Sequence, residues 1–145
     1  MLVETEEVLR ASRALLGIVA VSTQPALDHV SLQQFRILVL LSTLGPRRAG
    51  ALGDLLDVVP STVTRTVERL ERGGWVARTS GPEDRREVTV ALTDAGRALV
   101  LEVMADRASR IDRVLAAMAP GERTELARVL RRFSDVAGEP PGSGS

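Results

Sequence analysis

Between Trp75 and Leu92 the apolar residues stop recurring at helical spacing and begin to alternate. Val88, Val90 and Leu92 are interleaved with Glu87, Thr89 and Ala91, the period-two pattern of a half-buried strand. Trp75-Val76-Ala77-Arg78-Thr79 reads as its partner, and Ser80-Gly81-Pro82-Glu83-Asp84 between them is turn chemistry. A lone hairpin is marginal in water and must lean on other elements. In a chain of 145 residues whose remaining apolar spacing is helical, the fold class is therefore mainly α (α+β), with one hairpin seated against helices.

The flanking helices are punctuated by local signals. Leu2, Leu9 and Leu16 recur at heptad spacing and predict a helix over residues 2–22, with Pro25 ending it. Ser31, followed three residues later by Gln34, has the form of a capping box opening a second helix through Phe35, Leu38 and Leu41, which Gly45-Pro46 stops. A short helix is expected over Ala51–Asp57. Pro60 suits a first helical position, and the helix it opens should close at Gly73-Gly74. After the hairpin, Thr93-Asp94 caps a long helix carrying Leu99, Val103, Ile111, Val114, Leu115 and Met118. Pro120-Gly121 breaks it, a last helix covers Glu122–Val136, and GEPPGSGS over residues 138–145 reads as a disordered tail. A short helix, a tight turn, a second helix and a strand pair form the winged helix-turn-helix arrangement.

Composition narrows the chemistry. With no cysteine and a single histidine, His29, disulfides, thiolate zinc sites, multi-histidine metal sites and cysteine nucleophiles are excluded. No phosphate loop or paired-carboxylate constellation suggests an enzyme, and no cofactor or metal is expected. No apolar run reaches the roughly 20 residues of a membrane span. Glu4, Glu6 and Glu7 stand where a signal peptide would be basic, so a cytoplasmic location is expected. The 19 basic residues, all arginine, balance 19 acidic ones, whereas nucleic-acid binders are usually basic.

Position outweighs that balance. On the helix from Pro60, Val63, Val67 and Leu70 mark a buried stripe. The opposite face carries Ser61, Thr62, Arg65, Arg69 and Arg72. Ser61 and Thr62 fall in the first turn, where open amides and the positive dipole end favour a phosphate. Arg65, one turn further on, can reach base edges, ideally guanine O6 and N7. Arg69 and Arg72 stand evenly between DNA contacts and solvated pairs with Glu68 and Glu71. Asp84-Arg85-Arg86 at the hairpin tip suits a minor groove, where narrow A·T tracts deepen the negative potential. Arg47 and Arg48 read either as phosphate-backbone contacts or as plain surface charges. Trp75 is expected in the core, and His29 at the surface or at a helix cap.

The run STVTRTVERLERGGWV, followed by DRREVTVALTDAG, resembles the multiple-antibiotic-resistance regulator (MarR) family, and the likeness extends over about residues 2–137. It implies a single domain with a winged helix-turn-helix at about 31–92, and dimerisation helices at about 2–22 and 94–136. It also implies a homodimeric DNA-binding regulator, read here as a repressor on a near-palindromic operator. Ser61, Thr62, Thr64 and Arg65 match the start of the family's DNA-reading helix, beside Arg69. Asp84 and Arg86 match the wing's Asp-x-Arg, with Arg85 at the variable middle position. An effector, small and aromatic or anionic, would bind between the dimerisation helices and the DNA-binding lobe, where the resemblance puts Arg13, His29 and Arg36. Two departures stand out: Val59 occupies the usual Ser/Thr cap position, and the cysteine of the peroxide-sensing branch is missing. The alternative function is a winged-helix protein-interaction module that does not bind DNA.

Overall fold

The computed structural model describes residues 1–80 and 88–141. Their order is α1 (Val3–Leu27), α2 (Leu32–Leu44), α3 (Ala49–Leu56), α4 (Pro60–Arg72), β1 (Val76–Ser80), β2 (Val88–Leu92), α5 (Asp94–Ala116) and α6 (Pro120–Ala137). Two compact units result, one formed by Gln24–Val103 and the other by Met1–Thr23 with the chain from Met104 onward. The division falls inside α1 and α5 rather than at a loop.

In the unit Gln24–Val103, α2 starts as its capping box requires. The Gln34 amide donates to Ser31 Oγ at 3.1 Å, and the Ser31 amide donates to Gln34 Oε1 at 2.7 Å. Two otherwise orphaned donors are thereby satisfied. Ser31→Ala should cost about 1 kcal/mol, read as a shift of the urea midpoint with an unchanged slope. Gly45 ends α2 at φ 77°, a backbone region that an L side chain adopts at a cost. Phe35, Ile37, Leu38 and Leu41 of α2 are buried together with Leu52 and Leu56 of α3, Val63, Val67 and Leu70 of α4, and Val76 and Val90 of the strands. This is the core against which α3, α4 and the strands are seated.

The strands pair antiparallel, with Val76 opposite Leu92 and Ser80 opposite Val88. Thr79 and Thr89, directly opposite each other, share a hydroxyl–hydroxyl bond of 3.1 Å. The segment before α3 joins the sheet as well. The Arg47 amide donates to the Val90 carbonyl at 3.1 Å, and the Val90 amide donates back to Arg47 at 2.7 Å. Thr93 ties the sheet to α5: its hydroxyl donates to the Gly74 carbonyl at 2.6 Å and accepts from the Gly96 amide at 3.2 Å.

Several expected boundaries shift. Pro25 does not end α1, which runs on to Leu27. A proline removes one amide and crowds one carbonyl, yet the helix continues past it and Ala26 is buried. The short helix is Ala49–Leu56 rather than Ala51–Asp57; Asp57 lies outside it in the left-handed region at φ 52°, which aspartate tolerates better than most residues. The expected break falls between Ala116 and Pro120, and α6 starts at Pro120 rather than Glu122, since a first helical position needs no amide; Glu122 Oε2 accepts from the Ala119 amide at 2.8 Å. Trp75 is half-buried and precedes β1 rather than opening it.

The unit made of Met1–Thr23 and the chain from Met104 is built differently. Ser22 and Thr23 are buried and receive Arg107, whose Nε donates to Ser22 Oγ at 3.1 Å and whose Nη2 donates to Thr23 Oγ1 at 2.9 Å. Burial lowers the Arg107 pKa, and the two hydroxyls replace part of its lost hydration. Beyond that clasp the helices leave an apolar cleft of about 360 Å³, lined by residues including Leu15, Ile18, Ile111, Leu115 and Leu126. No residue of α6 is buried, and Phe133 and Val136 are exposed. Of the 138–145 tail, residues 142–145 lie outside the described residues. Among the described residues no helix is long and apolar enough to cross a membrane.

Candidate nucleic-acid interface

The interface rests on how closely α3 and α4 meet. A Cβ on Gly53 would lie 3.0 Å from the Val58 carbonyl oxygen and 3.1 Å from Val63 Cγ2, so glycine sets the spacing there. Asp57 in the left-handed region lets the chain reverse, and the Val58 amide donates to the Gly53 carbonyl at 2.9 Å. With Val63, Val67 and Leu70 buried against the core, the polar face of α4 is held outward.

On that face Ser61, Thr64, Arg65 and Arg69 are exposed and Thr62 is half-buried. Arg65 Nε donates to the Ser61 carbonyl at 3.5 Å, a long bond that lays the guanidinium beside the first turn. Thr64 Oγ1 donates to the Pro60 carbonyl at 3.0 Å, which leaves its oxygen able to accept. The first turn offers fewer open donors than expected: Pro60 has no amide, and the Thr62 amide already donates to the Val59 carbonyl at 3.0 Å. Any anion at this helix end would therefore be held chiefly by side chains.

The alternative role for the α4 arginines was pairing within the helix. Glu71 instead meets Arg78 of β1 at 3.5 Å. Among the described residues no ion pair joins Arg65, Arg69 or Arg72 to Glu68 or Glu71. Val59, the residue capping α4, makes no side-chain cap bond and is 62% exposed. Val59→Ser should add the missing bond and stabilise the fold by about 1 kcal/mol, seen as a higher melting temperature.

The other expected residues separate. Arg47 is half-buried, its backbone in the sheet and its Nη1 donating to the Pro46 carbonyl at 2.8 Å. Arg48 is the exposed cap residue of α3. Asp84, Arg85 and Arg86 lie outside the described residues. Of the three residues suggested for an effector pocket, His29 is exposed with its ring 5.8 Å from that of Trp75, and Arg36 is exposed on α2. Arg13 belongs to the other unit, where it lines a concavity with Arg110 and Arg113. What sequence reading missed was long-range: Gly53 and the strand-like pairing of Arg47 carry no signal within their own stretch of chain.

Comparison with known proteins agrees with this geometry. A model of the MarR family matches residues 30–88. The crystal structure of RV1404 from Mycobacterium tuberculosis is 40% identical, covers 96% of this chain and 95% of its own, and superposes with a TM-score of 0.83. YkoM of Bacillus subtilis, an uncharacterized HTH-type transcriptional regulator, is 33% identical over 68% of this chain and 64% of its own, so the match spans just under two thirds of YkoM. The HTH-type transcriptional repressor MdtR of the same bacterium is 30% identical over 72% of this chain and 67% of its own. A helix pair set at glycine spacing, a strand pair behind it and these matches lead to one conclusion: the chain belongs to the MarR family of winged helix-turn-helix transcription regulators.

Proposed function

We propose that the chain is a homodimeric, sequence-specific repressor that reads a near-palindromic operator. The observation that carries the reading is α4: a buried stripe of Val63, Val67 and Leu70 holds Ser61, Thr64 and Arg65 outward, with no carboxylate paired to Arg65 among the described residues. In this reading Arg65 contacts a base edge, while Ser61, Thr62, Thr64 and Arg69 position the helix on phosphate. Asp84, Arg85 and Arg86 serve the minor groove, and Arg48 touches the backbone. The helices of Met1–Thr23 and Met104 onward join two copies, so that two α4 helices meet half-sites about 34–36 Å apart. Repression is supported by the likeness to MdtR, which is described as a repressor. Release by a small aromatic or anionic effector completes the proposal, acting by favouring a dimer whose α4 spacing no longer fits the groove.

The test is duplex selection with the purified protein, followed by a salt titration on the selected site. A specific binder gives log K falling linearly with log salt, each neutralised phosphate contributing about −0.9 to the slope. A chain that enriches no sequence and shows no salt-dependent binding is a protein-interaction module, the alternative favoured by its balanced charge.

A further inference from the structure

Val59 stands where the start of a helix is usually stabilised by a side-chain oxygen, and it forgoes that bond. It caps α4 with an extended backbone, φ −61° and ψ 145°, and makes no side-chain cap bond. Aliphatic residues are the least favoured class at this position. Packing does not account for the valine. Val63, four residues later, is 2% exposed, whereas Val59 is 62% exposed, more than Leu32, Leu55 or Leu101 of the same unit. A lone surface valine is ordinary. One that displaces a cap at the leading end of a DNA-reading helix points to a contact outside the chain.

The surroundings narrow that contact. Pro60 has no amide, and the Thr62 amide donates to the Val59 carbonyl at 3.0 Å, so the backbone around Val59 has little to offer a phosphate. Asp54 and Asp57, both exposed, line one open hollow of about 280 Å³ together with Val59, and carboxylates there repel a phosphate further. Valine itself has neither donor nor acceptor. Among the base edges of the major groove, the apolar group is the C5-methyl of thymine. Ser61 and Arg65, exposed on the same helix two and six residues further on, bring Val59 to that groove when α4 enters it.

We propose that Val59 is a specificity-determining residue whose methyl groups pack against the C5-methyl of a thymine, in the same half-site as the base contacted by Arg65. The inference rests on the DNA-reading role proposed above for α4. It accounts for the exposed valine and the forgone cap together. A serine at this position would cap the helix but present a hydroxyl that can bond several different base edges.

The test compares the duplexes selected by wild type and by Val59→Ser. Wild type should enrich thymine at one position per half-site where Val59→Ser enriches no base. Replacing that thymine by deoxyuridine in both half-sites removes only the two methyl groups. It should weaken wild-type binding about fifteenfold, the worth of two buried methyls, and Val59→Ser binding less than about twofold. Val59→Ser is expected to melt higher than wild type, so unfolding would not explain a lost preference. Val59→Ala, which adds no hydroxyl, should lose the same preference without that gain in melting temperature. Identical selected sequences for wild type and Val59→Ser, or a wild type indifferent to deoxyuridine, overturn the inference while leaving α4 as the reading helix. A wild type that enriches no duplex refutes that role, and this contact with it.

Discussion

Gly96→Ala should unfold much of the Gln24–Val103 unit at temperatures the parent tolerates. A Cβ at Gly96 would overlap the carbonyl oxygen of Trp75 and lie 3.2 Å from Leu92 Cδ2. That same carbonyl accepts from the Thr93 amide at 3.1 Å, and the Gly96 amide donates to the Thr93 hydroxyl. Neither side can retreat, because one is backbone and the other is the first turn of α5. Overpacking of this kind costs about 3 kcal/mol, against the 5–15 kcal/mol that typically holds a domain together. With about 4–8 °C lost per kcal/mol in a domain of this size, calorimetry should show a fall of about 12–24 °C. Gly50→Ala is the control: its Cβ would meet nothing within 4 Å, so better helix propensity should raise stability by up to about 1 kcal/mol. Equal melting temperatures for the two variants would show that α5 does not approach Trp75 so closely.

Arg65→Ala should have the largest effect on DNA without changing the fold. The side chain is exposed, and its protein contact is one long bond to the Ser61 carbonyl, so its removal opens no cavity. A bidentate contact to guanine is worth about 1–3 kcal/mol. A dimer places the residue in both half-sites, so the loss on a selected operator should be about thirtyfold to twenty-thousandfold. It should be accompanied by relaxed selection at one base pair per half-site and an unchanged melting temperature. Arg69→Ala, at a proposed phosphate contact, should instead weaken every duplex alike and lower the salt slope by about one contact's share per copy. If Arg65→Ala behaved like Arg69→Ala, base reading would lie elsewhere on α4.

What was legible in the sequence was local chemistry. The Ser31/Gln34 box, Gly45, Pro60, Thr93 and the buried stripe of α4 each depend on residues within one or two turns, and each stands where expected. Family likeness rested on the same kind of signal, since STVTRTVERLERGGWV spans the one helix whose two faces differ most plainly. The misses arose where a boundary shifted past a local signal, or where the structure depends on residues far apart in the chain. Pro25 signalled a stop, yet α1 runs through it to Leu27, with Ala26 buried. The helix break near Pro120 is present, but Pro120 and Gly121 belong to the first turn of α6 rather than to the gap before it. Asp57 takes a left-handed backbone at a position that no glycine marked. Nothing in the string around Gly96 indicates that Trp75, 21 residues earlier, lies against it.

The pairing of Arg47 with Val90 has a consequence for how the protein avoids its own kind. With β1 on one side and Arg47 on the other, the middle of β2 has no free edge to offer a passing strand. The remaining edge of the sheet belongs to β1, and Arg78 and the hydroxyls of Thr79 and Ser80 make it a poor template for stacking. The most strand-like stretch of the chain, VTVAL, is thus sheltered from amyloid-type pairing. A single bridged residue ahead of α3 provides that shelter.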